Sequence, residues 1–135
     1  MNLQEKQNLI NYRLSKAQTT FHEIDLLVKN ELWNTAVNRL YYSCFYAINA
    51  LLISKDLMPQ THGGVRLQFG LHFIKTGIID KELGTFFSDL FDLRITSDYD
   101  DYIDFTQSEV LDMIEPTSQL LTKIEELLLK NEGNE

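Results

Sequence analysis

At 135 residues the chain is long enough for one domain to bury a single core without metals or disulfides. A hydrophobic share of 44% beside 24% charged residues excludes a disordered chain, and no apolar run reaches the roughly 18 to 20 residues of a membrane span. The net charge of −8 opposes avid, sequence-independent binding to a phosphate backbone, where affinity comes from Lys and Arg displacing counterions.

The start of the chain is polar and amphipathic, with no apolar signal-peptide core. Ile10, Leu14, Ala17, Phe21, Ile24 and Val28 then recur at alternating steps of four and three, which predicts a first helix from about Leu3 to Asn30. A second helix, from about Leu32 to Lys55, is apolar almost all round, as expected of a central helix packed on several sides. Its single cysteine, Cys44, excludes an internal disulfide and suits a reducing, cytoplasmic setting. Along the same helix Arg39, Tyr42, Tyr46 and Asn49 are spaced to stack on one side. They either line its solvent edge or face a cleft or subunit interface.

Pro59 and Thr61 mark the break before a third helix, predicted from about His62 to Lys75, with Gly77 in the position that a left-handed cap prefers. His62, Gly63 and Gly64 open that helix, where backbone N–H groups can meet an anion or simply give a flexible start. Asp80 is placed to cap a fourth helix. On it Leu83, Phe86, Phe87, Leu90 and Leu93 share one arc at about 100° per residue. Arg94 falls inside that arc. Its guanidinium cannot shed its charge, so it needs a partner or a wet cleft. Asp98, one turn on, is the expected partner, and Tyr99 follows it.

The acidic run from Asp98 to Asp104 resembles a calcium loop in part, but Ile103 stands where that loop needs glycine. It reads instead as a solvated connection. The histidines lack metal-ligand spacing, so neither a metal nor a cofactor is expected. Thr106 and Glu109 form a capping-box pattern for the last helix, which Pro116 should kink or divide. The expected architecture is one all-α antiparallel bundle of about five helices over residues 1–130, with a frayed polar tail at 131–135.

Five ordered segments together resemble the HEPN-domain proteins, of the small prokaryotic UPF0332-like branch. They are the run from Leu32 to Tyr42, Cys44 to Ala47 with Ala50 to Leu52, Thr61 to Val65, Phe73 to Gly77, and Leu93-Arg94 with Ser97 to Asp100. The resemblance implies a helical bundle that is usually homodimeric. Many such relatives are encoded beside a minimal nucleotidyltransferase and form toxin–antitoxin pairs with it. RNA-cleaving members carry an arginine and, after four to six intervening residues, a histidine. After Arg94 those places hold Tyr99, Asp100 and Asp101, so the histidine that would titrate near neutral pH is missing.

The expected function is therefore a non-catalytic module that binds a nucleotidyltransferase partner or a nucleotide-like ligand. Its site would comprise Arg94, Asp98 and Tyr99, with Arg39, Tyr42 and Tyr46 opposite and His62 at the edge. Two alternatives stay open. One is a metal-independent ribonuclease using Arg94 and Tyr99. The other is a structural adaptor that assembles with other chains through the Ile10 to Val28 seam.

Overall fold

A computed structural model of the chain describes residues 1–99 and 103–133, with side chains over 1–96 and 103–130. Its helices are α1 (Leu3–His22), α2 (Ile24–Lys29), α3 (Trp33–Ser54), α4 (His62–Phe69), α5 (Lys81–Tyr99) and α6 (Gln107–Gly133), and among the described residues there is no strand. This is the expected all-α bundle. No helix among the described residues is long and apolar enough to cross a membrane.

The first rod is broken where one helix was expected. Glu23 separates α1 from α2, and its N–H bonds to Thr20 O at 3.2 Å, a three-residue closure that tightens the turn. No proline or glycine marks that turn, so periodicity alone runs through it. Both pieces serve one seam: Ile10, Ala17 and Ile24 are buried, and Leu14, Phe21 and Val28 pack beside them. The seam thus faces the chain's own core and is not a surface offered to other chains, which removes the basis of the adaptor reading.

Helix α3 packs against every other helix, as its uniform apolarity requires. Small side chains let α1 approach it closely. Ser43 Oγ donates to Ala17 O at 2.8 Å, and Ser43, Ala17 and Ala47 have no exposed surface.

After α4 the chain makes one π turn, Gly70–Ile74, closed by Lys75 N–H bonding to Gly70 O at 2.9 Å. Gly77, at φ 80°, then ends the segment in the left-handed conformation expected of it. Helix α5 crosses the π turn at Gly84, where a Cβ would stand 2.8 Å from Ile74 Cγ1. Glycine is what permits that crossing.

The capping box on α6 is present: Thr106 Oγ1 accepts from Glu109 N at 3.2 Å, and Glu109 Oε1 accepts from Thr106 N at 3.1 Å. Pro116 does not divide this helix. It removes the bond to the carbonyl of Asp112, an exposed residue that water can serve. In the next position Thr117 Oγ1 donates to Met113 O at 2.9 Å and secures that turn. The N-terminus of α3 holds the residues that lead into α6, because Asn34 Oδ1 accepts from Phe105 N at 2.9 Å while its amide donates to Ile103 O at 3.1 Å.

Candidate functional site

Arg94 sits half-buried on α5, between buried Leu90 and Phe91 one turn back and exposed Thr96. Its guanidinium carbon lies 4.9 Å from the ring centre of Tyr41 and 5.9 Å from that of Tyr42, both on α3. A cation over the negative face of an aromatic ring is attracted by the ring quadrupole, and more so where water is partly excluded. Of the two tyrosines expected opposite Arg94, Tyr42 lies beneath it and Tyr46 does not, while the nearer ring is that of Tyr41. Its expected partner Asp98, and Tyr99 beside it, have side chains outside the described residues.

His62 is at the hub of this cluster rather than at its edge. It is the first residue of α4, which Thr61 caps by accepting from Gly64 N at 2.9 Å. That bond occupies one of the N–H groups of the helix start, and a Cβ at Gly64 would press on Thr61 Oγ1 and Pro59 Cβ at 3.0 and 3.1 Å. Gly64 therefore serves the tight helix start, whereas a Cβ at Gly63 would meet nothing within 4 Å. The cap in turn fixes the His62 ring against Phe45, with centroids 4.3 Å apart and planes 13° from parallel. On its other side His62 Nδ1 lies 2.8 Å from the hydroxyl of Tyr41.

The electrostatics follow from this packing. Burial, and then the Arg94 charge, hold the His62 imidazole below its ordinary pKa of 6.5, so it is neutral at pH 7. Burial pushes the Tyr41 phenol well above its ordinary value, with Arg94 opposing that rise. The phenol thus stays protonated. The pair is a neutral hydrogen-bonded couple beside a fixed cation, with Nε2 of His62 left outside the couple.

The remaining predicted residues divide. Tyr42 joins the cluster and touches both Arg94 and His62. Arg39 lies 5.7 Å from the Tyr42 ring and pairs with Glu23 at 3.5 Å. Tyr46, 5.8 Å from Tyr42, meets Lys16 of α1 and not Arg94. Asn49 donates to Phe45 O within its own helix. Sequence reasoning missed Tyr41 and Phe45, which carry the tightest contacts. Among the described residues no group of three His, Cys, Asp or Glu side chains is placed to hold a metal.

A cation over two tyrosines set edge to face, with a histidine from another helix, is a site that similar proteins can be asked about. The HEPN domain profile matches residues 10–127. The chain belongs to the HEPN family. This HEPN chain is 39% identical over 126 residues to a UPF0332 protein of Thermotoga maritima, covering 93% of the chain and 96% of that protein. It is 33% identical over 116 residues to a Methanocaldococcus jannaschii protein named "Putative toxin MJ0142", covering 86% of the chain and 79% of that protein. A second protein of that organism, named "Putative toxin MJ0605", is 36% identical over 83 residues, or 62% of each chain.

Proposed function

We propose that this HEPN chain is the toxin-like member of a toxin–antitoxin pair and binds a nucleotide-like ligand at Arg94. A nucleotidyltransferase is its partner protein, and it works as a homodimer. The observation that carries the reading is the half-buried Arg94 guanidinium seated over Tyr41 and Tyr42 with His62 alongside. A guanidinium seated over these rings meets a phosphate with little further ordering, and the half-buried Tyr42 ring, unlike the fully buried Tyr41, can offer a base a stacking edge. The relatives named as toxins support the biological setting. Titration of a nucleoside monophosphate into the protein tests it: Arg94→Ala abolishes binding while the helical circular dichroism is unchanged. Wild-type affinity in Arg94→Ala would refute the site. Co-purification with the product of an adjacent nucleotidyltransferase reading frame tests the partner.

One observation favours a second reading, a metal-independent ribonuclease. The histidine missing after Arg94 in the sequence has a spatial counterpart in His62, neutral and bonded to Tyr41. A neutral imidazole can take a proton from an attacking hydroxyl. This reading expects RNA cleavage that persists in EDTA and disappears in both Arg94→Ala and His62→Ala. Intact RNA after prolonged incubation with the wild-type protein excludes it.

A further inference from the structure

The bond between Tyr41 and His62 has a direction, and that direction decides what His62 can do. Tyr41 has no exposed surface, and among the described residues its hydroxyl bonds only to Nδ1 of His62, at 2.8 Å. A phenol has one O–H to donate, and a neutral imidazole has one N–H and one bare, accepting nitrogen. Two arrangements therefore fit the contact. In the first, the phenol donates to Nδ1 and the imidazole proton sits on Nε2. In the second, Nδ1–H donates to the phenol oxygen, and the buried O–H is left without an acceptor. A buried donor without a partner disfavours the second arrangement by about tenfold or more.

Arg94 biases the bond the same way. Its guanidinium carbon lies 4.9 Å from the Tyr41 ring centre, and a positive charge there favours release of the phenol proton. The O–H becomes a better donor and its oxygen a poorer acceptor. The imidazole is also clamped: Phe45 stacks on it at 4.3 Å, and the Tyr42 ring stands edge-on at 5.9 Å. A half-turn of the imidazole would set a C–H against the phenol and lose the bond.

We infer that Tyr41 is a positioning residue that fixes His62 as the tautomer protonated at Nε2, so that His62 serves the site as a hydrogen-bond donor and not as a base. The inference deepens the nucleotide reading of Arg94 and rests on it for the ligand. A half-buried N–H beside a guanidinium calls for a group rich in acceptor oxygens, which a phosphate is. Arg94 supplies the charge, and Nε2–H supplies a single direction. The ribonuclease reading needs the opposite tautomer, with Nε2 bare to receive a proton.

NMR of the ring nitrogens in ¹⁵N-labelled protein at pH 8, where the imidazole is neutral, tests the tautomer. His62→Gln identifies the His62 signals among those of the three histidines. Wild type should show a pyrrole-like Nε2 and a pyridine-like Nδ1. Tyr41→Phe should move both toward the averaged positions of the urea-unfolded chain, with helical circular dichroism retained. A pyrrole-like Nδ1 in the wild type overturns the inference, and so does a Tyr41→Phe protein whose ring nitrogens match the wild type's. Calorimetry with UMP tests the donor role. His62→Ala should weaken binding about tenfold, and His62→Gln, whose amide also offers an N–H, should recover most of that loss. Wild-type affinity in His62→Ala, or a glutamine variant as weak as the alanine one, overturns the donor role. If Arg94→Ala binds UMP as well as wild type does, the nucleotide reading falls, while a pyrrole-like Nε2 still upholds the fixed tautomer.

Discussion

The hydroxyl of Tyr41 meets Nδ1 of His62 at 2.8 Å, joining the middle of α3 to the first residue of α4. Phenylalanine at position 41 would keep the ring contacts with Phe45 and Phe87 and remove only this bond. Tyr41→Phe should therefore destabilise the protein by about 1–2 kcal/mol, the cost of a lost bond plus a half-buried nitrogen without its partner. Urea denaturation reads the change, and an unaltered midpoint would show that the bond contributes nothing.

The imidazole of His62 gives stability a pH dependence of known sign. Its folded-state pKa lies below the unfolded value of 6.5, so the unfolded chain takes up the proton more readily. Its contribution is complete above pH 6.5 and is lost as pH falls through the folded midpoint. The stability difference between wild type and His62→Gln should shrink over that interval. In NMR titrations Arg94→Met should raise the His62 midpoint only part of the way to 6.5, because burial, the larger cause, remains. A midpoint that does not move would mean that the Arg94 charge is not felt at His62.

Gly84 sets the distance between α5 and the π turn. Three Ile74 side-chain atoms would lie 2.8–2.9 Å from a Cβ there, and a β-branched side chain has little freedom to retreat. Gly84→Ala should cost about 1–3 kcal/mol by overpacking. Combining it with Ile74→Ala should recover part of that loss, so a double-mutant cycle on thermal unfolding would show strong coupling. Strict additivity would place the clash elsewhere.

Cys44 is fully buried and its thiol is pushed up to about 12, chiefly by desolvation. The thiolate is the reactive form, so the native protein should resist a disulfide reagent such as DTNB at pH 8. Labelling should proceed only as fast as the bundle opens and should accelerate with urea. Rapid stoichiometric labelling without denaturant would contradict the packing of α3 around this residue.

Some of this site is plain in the sequence. A charge on an otherwise apolar arc singled out Arg94, because a guanidinium has no neutral form to hide in. The same logic hid Tyr41. On a helix that is apolar all round no face stands out, so a buried tyrosine looks like any other core residue. Phe45 was obscured for the same reason. His62 was recognisable as a helix start, but its bond to Tyr41 is made across two helices and follows from no local spacing. Lys16 lies on the polar side of α1, where periodicity carries no information about what crosses from α3. The turn at Glu23 has no breaker residue. Pro116 is a breaker in sequence that tertiary context overrides, because the carbonyl it abandons faces water.

The π turn gives α4 a freedom that an ordinary α-helical stretch lacks. Its closure from Lys75 to Gly70 encloses one residue more than an α-helical turn does. Deleting Leu71 would let that closure relax to the ordinary spacing and bring Phe69 and Phe73 three positions apart, still on one face. Length variation of a single residue can be absorbed at this point while both aromatic rings keep their places in the interior.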